Sequence, residues 1–394
     1  MVETVRLGFI MPVPPDKTGL AQDTEWMRHL SNFDGVKPIF LTPTSNSNPY
    51  LPFKSVYARS DILFPLRIAK AVKKERLEVL HFEYILGLYG GKDRSFFNYL
   101  KSVYVYFTTS IVLKLMRKKL ILDNHKILNN EQIGNLKINS MLKRMVSLGN
   151  RIMNILTCLL ADRVVVHNFA GKLELQKYTH HKDNVEYMPL PAVKSKIVKR
   201  SDHPFTFLYF GFIKPNKGII ELIDAFKLVS KEIKDVKLII SGYIDSSDSS
   251  IKNLEYFNFV KKSLEEVGRE INIEHNLRYL EDDEIISILE VGDVIVMPYL
   301  DYNLEGSGII SKVIFAGLPF ICTTTPRFQE IIQSGAALGV SPGDASELAE
   351  RMKVIFKDNN IYSETASNVK RLFEKFDSKN LVEKYMIMYN EMFK

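Results

Sequence analysis

Residues 293–325 read DVIVMPYLDYNLEGSGIISKVIFAGLPFICTTT. An apolar run leads into a loop that holds the carboxylate of Glu305; a Ser-Gly turn then opens a helical stretch, a Gly-Leu-Pro stop ends it, and a second apolar run follows. Strand, loop, helix and strand in this order make the βαβ unit of an open parallel sheet, whose ligands bind beyond the carboxyl ends of the strands. The turn at Ser307 and Gly308 is expected to present backbone N–H groups at the positive end of a helix, which suits a phosphate. Glu305 beside it suits hydroxyls. A hydroxyl-binding carboxylate next to a phosphate cradle predicts a nucleotide-sugar site.

The rest of the chain is consistent with an intracellular enzyme of two domains. Its 394 residues exceed what one core usually holds, and 46% hydrophobic with 25% charged residues is the balance of a folded, water-soluble protein. The two cysteines, Cys158 and Cys322, lie in apolar runs and read as buried thiols, without disulfide or metal spacing. The opening MVETVRLGFIM lacks the apolar core of a signal peptide, which predicts a cytoplasmic location. Charge is divided unevenly: residues 1–200 hold 31 Lys and Arg against 16 Asp and Glu, and the remainder 22 against 30. A basic half calls for an anionic partner, a lipid surface or a phosphorylated substrate, while no zinc pattern or arginine-aromatic array points to nucleic acid.

In the first half, VRLGFI and VKPIFLT read as strands around a Pro-rich loop containing Gly19, with Asp23 as a helix cap. PLRIAKAVKKERLEVLHFEY is an amphipathic helix running into a strand that ends on His81, Glu83 and Tyr84, which are candidates for the acceptor or cleft side of a site or are ordinary edge residues. Gly90-Gly91 precede a helix over about residues 94–117, whose uncharged segment is too short to cross a bilayer of about 20 residues. Residues 101–150 hold nine basic residues against two acidic, and NSMLKRMVSLGNRIMNILTCLL forms a second cationic amphipathic stretch. These two helices fit either an interfacial membrane contact or buried helices with basic outer faces. KKLILDNHKI, ADRVVVHN and NVEYMPLP supply further strands, the first ending on Asp123, Asn124 and His125.

PAVKSKIVKRSDHP is the best linker, and FTFLYFG then starts a second sheet. In FGFIKPNKGIIELIDAF, a strand ending at Gly211 meets a basic loop with Lys214 and Lys217, and an amphipathic helix follows. That is phosphate-binding geometry, with the two lysines placed to neutralise the anion. VKLIISG is a strand ending at Gly242. The acids of DDEIISILEVG are explained by helix capping rather than by metal ligation.

With FGFIKPNKG, GDVIVMPY, EGSGIISKVIFAGLPFICTTTPRFQEI and VSPGDASELAERM in this order, the chain resembles the retaining glycosyltransferases of family four. The resemblance implies an α/β protein with the GT-B fold, two Rossmann-like doubly wound domains facing a central cleft. It sets the domains at residues 1–195 for the acceptor and 196–376 for the nucleotide sugar, with a last helix, 377–394, crossing back to the first domain. It places Lys217 on the donor phosphate, and Ser307, Gly308, Ile309 and Ile310 at the helix start facing the diphosphate, with Gly211, Gly242 and Gly306 in the donor loops. His125 corresponds to the histidine near the reacting sugar, and Glu305 to a sugar-binding glutamate. Three positions depart from the pattern. Phe212 stands where an arginine is usual, which gives Lys214 a share of its work; Glu305 lies one residue off its expected place; and Lys312 occupies the position of a ribose-binding glutamate.

The expected reaction is transfer of a hexose from a nucleoside diphosphate sugar, with retention and no metal or other cofactor. Glu305 and His125 are its catalytic residues, and Lys312 joins the donor set. The expected acceptor is a glycan or a polyprenyl-phosphate-linked sugar at the inner membrane face, in surface polysaccharide or glycoprotein assembly. The altered glutamate pair leaves open a non-catalytic sugar-nucleotide-binding subunit, and the rival enzyme reading is a GT-B sugar-nucleotide epimerase or a phosphorylase.

Overall fold

The computed structural model describes residues 5–12, 29–31, 36–43, 52–58, 61–85, 88–89, 96–134, 138–200, 202–244, 251–268, 270–302 and 304–392. Gly19, Asp23 and Gly90-Gly91 lie outside the described residues. The chain divides into two compact units: residues 1–191 with 303–308 and 376–394, and residues 192–302 with 309–375.

The first unit is built on seven parallel strands: β1 (Val5–Ile10), β2 (Val36–Pro43), β3 (Phe53–Tyr57), β4 (Val79–Tyr84), β5 (Lys119–Asn124), β6 (Arg163–Val166) and β7 (Val185–Tyr187). Their order is β3-β2-β1-β4-β5-β6-β7. β3 lies in a stretch, residues 46–59, that is polar and interrupted by prolines. It is an edge strand, and its FKSVY, with only Tyr57 buried, explains why the apolar signal was weak. β4 is the opposite case, a central strand buried at every position.

Alternate residues of these strands feed two cores, one on each face of the sheet. Leu80, Phe82, Leu120, Leu122 and Val164 pack on one side with Phe64, Ile68 and Val72 of α1 (Phe64–Lys74). Pro65 opens α1, and Lys73 and Lys74 close it at the negative end of its dipole. Leu7, Phe9, Val79, Ile121 and Val165 pack on the other face, where the C-terminal helix Ser378–Glu391 supplies Leu381, Val382, Tyr385, Met386 and Tyr389. Two long helices complete the element set used below, α2 (Phe96–Leu115) and α3 (Ser140–Leu160), followed by α4 (Phe169–Leu175), which Asn168 caps.

The second unit repeats the plan with six parallel strands: β8 (Phe205–Phe212), β9 (Val236–Tyr243), β10 (Ile273–Asn276), β11 (Val294–Met297), β12 (Phe320–Thr323) and β13 (Ala337–Val340). Their order, β10-β9-β8-β11-β12-β13, reverses direction between β8 and β11 just as the first sheet does between β1 and β4. That reversal is where an open α/β sheet parts its loops to receive a ligand. Helix α5 (Ile219–Glu232) follows β8, and α6 (Asp282–Glu290) follows β10. The acids at the start of α6 do form a capping box, between Glu281 and Glu284. The βαβ unit of residues 293–325 has a short helix, α7 (Gly308–Val313), which continues as a 3-10 turn and stops at Gly317 with φ 68°. Cys322 is buried, whereas Cys158 is only half-buried, contrary to the reading of both as buried thiols.

Candidate functional site

The second unit gathers its polar groups where β8 and β11 diverge. Lys217 ends a 3-10 turn after β8 and is buried, with Nζ 3.6 Å from the centre of the Tyr299 ring. Arg327 lies 5.5 Å from the same ring and 3.8 Å from Asp301 Oδ1. Asn216 Nδ2 donates to Asp301 Oδ2. Two cations, an amide and one carboxylate are thus held around a buried tyrosine, where reduced solvent screening strengthens the field on an anion. Lys214 extends over the Phe212 ring, 5.3 Å from its centre.

Backbone glycines make this approach possible. Gly218 adopts φ 67°, and a Cβ there would fall 1.8 Å from the carbonyl oxygen of Pro298. Gly242 lies against the carbonyl oxygen of Gly211, 1.9 Å from where its Cβ would stand. A Cβ on Gly211 would lie 3.6 Å from Ile309, so the loop after β8 and the start of α7 are neighbours. Ile310 is buried beside them, and Gly308 is open, with nothing within 4 Å of an added Cβ. Lys312 has Nζ 3.4 Å from Asp282 Oδ1 of α6. Asn216, Tyr299, Asp301 and Arg327 were missed by sequence reading. All four follow strands or turns singled out there, but only the sheet order places them around Lys217.

In the first unit a second cluster occupies the ends of β4, β5 and β6. Asp123 is its centre. Its Oδ2 lies 3.0 Å from His81 Nε2 and its Oδ1 2.8 Å from His167 Nε2. His167 Nδ1–H donates to the carbonyl of Met188 at 2.7 Å, and its Nε2 lies 3.2 Å from His125 Nε2. His125 Nε2 is 3.6 Å from Glu83 Oε2. Burial alone would lower His167, but the Asp123 carboxylate and the two hydrogen bonds outweigh it and lift it to about 8. Burial and the neighbouring His167 push His125 down to about 3. Burial opposes ionisation of Asp123, yet its histidine partners hold it well below the carboxylate range. Glu83 is lifted to about 8 by burial and by the charge of Asp123. A protonated His167 donates Nδ1–H to Met188 and turns its one Nε2–H towards Asp123 Oδ1 and His125 Nε2. The side-chain atoms of Asp123, His125 and His167, and of His81, Glu83 and Asp123, are also close enough within each group to hold a cation.

The structure removes one alternative for His81, Glu83 and Tyr84, that of ordinary edge residues. β4 is central, so none of the three is an edge residue, and all are buried. His81 is fully enclosed, stacked on Phe9 with Nδ1 2.8 Å from Tyr389 Oη. Its other ring nitrogen faces Asp123. His125, 13% exposed at its side chain, is the member of the cluster nearest to solvent.

Glu305 belongs to this unit as well. Leu304–Glu305 forms a two-residue antiparallel pair with Lys126–Ile127, and Lys126 Nζ lies 2.7 Å from Glu305 Oε1. The carboxylate expected to bind hydroxyls is therefore held next to His125 by an ion pair. Gly306 is required by the same packing, since a Cβ there would come 2.8 Å from His167 Cβ. The sequence gives no sign of this pairing, because its two strands are far apart in the chain and too short to carry a pattern.

Residues 193–372 match the family model of the glycosyl transferases group 1. Over 205 residues the chain is 27% identical to the capsular polysaccharide biosynthesis glycosyltransferase CapM of Staphylococcus aureus, a match covering 51% of this chain and 50% of that protein. The chain thus spans about half the length of this relative. Among solved structures, sucrose-phosphate synthase of Thermosynechococcus elongatus superposes with a TM-score of 0.71 at 14% identity, covering 99% of both chains. Anabaena HepE in complex with UDP and glucose superposes at 0.66 and 15% identity, over 98% of this chain and 99% of that one. Such identities speak for the fold. The chain has the GT-B fold of these neighbours, and its segment 193–372 matches the group 1 glycosyl transferases.

Proposed function

We propose that this protein is a retaining glycosyltransferase that moves a hexose from a nucleoside diphosphate sugar to a glycan or lipid-linked sugar, in the assembly of a surface polysaccharide. The observation that carries the reading is the group of Lys217, Asn216 and Arg327 around Tyr299, at the strand reversal of the very segment that matches the family. The nucleotide-sugar part draws support from the HepE structure with UDP and glucose, and the polysaccharide part from the name of CapM.

The chemistry asks for two kinds of help. A departing diphosphate concentrates negative charge, and fixed cations in a poorly screened site stabilise it without reorganising. Lys217 and Arg327 fill this role, with Lys214 at the margin. The sugar left behind passes through an oxocarbenium-like state, for which a carboxylate and a neutral imidazole are suitable neighbours. Glu305, fixed by Lys126, and His125, kept neutral by burial, have those properties. The proposed reaction needs no metal.

Lys217→Ala tests the donor assignment by titration calorimetry with nucleoside diphosphates. The expected loss is at least about tenfold in affinity, or about 1.4 kcal/mol. Glu305→Ala is expected to keep donor affinity and to lose turnover. Unchanged affinity in the first variant moves the phosphate site elsewhere, and unchanged turnover in the second removes Glu305 from the reaction.

A further inference from the structure

Helix α3 carries its amphipathicity inside out. Its buried residues are Asn154 and Thr157, and Asn150 donates to the carbonyl of Leu128 on the same side. The opposite side exposes Met141, Met145, Leu148, Ile152 and Leu159, spaced by four, three, four and seven residues, so they form one stripe along the helix. Arg144 and Arg151, one heptad apart and exposed, flank the stripe. The 21 residues of α3 include no Asp or Glu. The neighbouring α2, which touches α3 through Tyr106 and Thr157, exposes Phe97, Leu100, Tyr104, Ile111 and Leu115 at helical spacing too.

We propose that the outer face of α3 lies on an anionic lipid bilayer, its apolar stripe at the level of the acyl boundary and Arg144 and Arg151 among the headgroups. Three observations choose this occupant. Residues 101–150 hold nine basic residues against two acidic, which complements an anionic surface. A second copy of α3 would bring no carboxylate to meet Arg144 and Arg151, whereas paired helices are matched by opposite charges along their seam. Among the described residues no helix is long and apolar enough to cross a membrane, so the contact is with the surface. The inference does not depend on the transfer reaction and can fail without it.

The test is flotation of the whole chain with vesicles of phosphatidylcholine alone and with vesicles containing phosphatidylglycerol, at low and high salt. The wild type is expected to float with the anionic vesicles at low salt and to be partly released by high salt. The double variant Leu148→Glu, Ile152→Glu is expected to lose partition by at least about tenfold, and Arg144→Glu, Arg151→Glu to lose the preference for anionic lipid. These side chains are exposed, so both variants should melt as the wild type does; a variant that does not is replaced by Met145→Ser, Leu148→Ser, for which the same loss of partition is expected. Failure of the wild type to float at low salt overturns the proposal, as does flotation of well-folded variants to the wild-type extent. Sedimentation of the lipid-free chain as a dimer that Leu148→Glu, Ile152→Glu converts to monomer also overturns it, by assigning the stripe to a second copy.

Discussion

Asp123 is the residue on which the first unit's cluster depends, because one buried carboxylate orients two histidines from different strands. Removing its charge would leave His167 with a buried proton and no counter-ion. The same site makes a pH-dependent prediction. Glu83 has its pKa raised from 4.5 to about 8, so folding takes up a proton between those values and the carboxyl costs stability as pH rises through that window. His167, raised to about 8, loses stability in the same direction above its ordinary 6.5. His125, lowered to about 3, acts oppositely and loses stability as pH falls from 6.5. Glu83→Gln removes the first of these contributions, together with the part of the His167 shift that comes from the Glu83 charge. Its stability relative to wild type, from urea unfolding, is expected to be near zero at pH 4.5 and to grow to about 1–3 kcal/mol by pH 8; a difference that does not change with pH contradicts the assignment. His125 was singled out by the family resemblance, while His167 was not. Both follow strands in similar ways, and only the adjacency of β5 and β6 shows that they meet.

The turn between β8 and α5 shows how an element makes a site. Strand, glycine, basic loop and helix were all readable, since each has a local signal in apolar period, turn residues or charge. The reason for Gly218 was not, because it lies in a contact with Pro298 some eighty residues later. Gly218→Ala must relieve both a positive φ and a collision with a backbone carbonyl, neither of which a flexible side chain can absorb. It is expected to cost about 2 kcal/mol or more in urea unfolding and to weaken nucleotide binding with it. Retention of both wild-type values would mean that the turn does not have this geometry. The short pairing of Leu304–Glu305 with Lys126–Ile127 marks the limit of local reading, since two residues give no period.

At the scale of the molecule, two sheets share one strand order, and each concentrates polar groups at the ends of its central strands. This was largely legible: parallel strands buried on both faces leave long apolar runs, and alternating helices leave a period that composition does not obscure. The edge strand β3 escaped because an edge needs no apolar face. The identity of the sugar and base escaped for another reason, as hydrogen bonds to either come from a few side chains with no fixed spacing. The central claim, that the chain consumes a nucleotide sugar, is tested most directly by incubating the purified protein with a panel of nucleoside diphosphate sugars, with and without chelator, and measuring the nucleoside diphosphate released. Release from at least one member of the panel, undiminished by chelator and reduced at least about tenfold by Lys217→Ala, is the expected result. Consumption of no sugar nucleotide, or release that the Lys217 variant leaves unchanged, would contradict it.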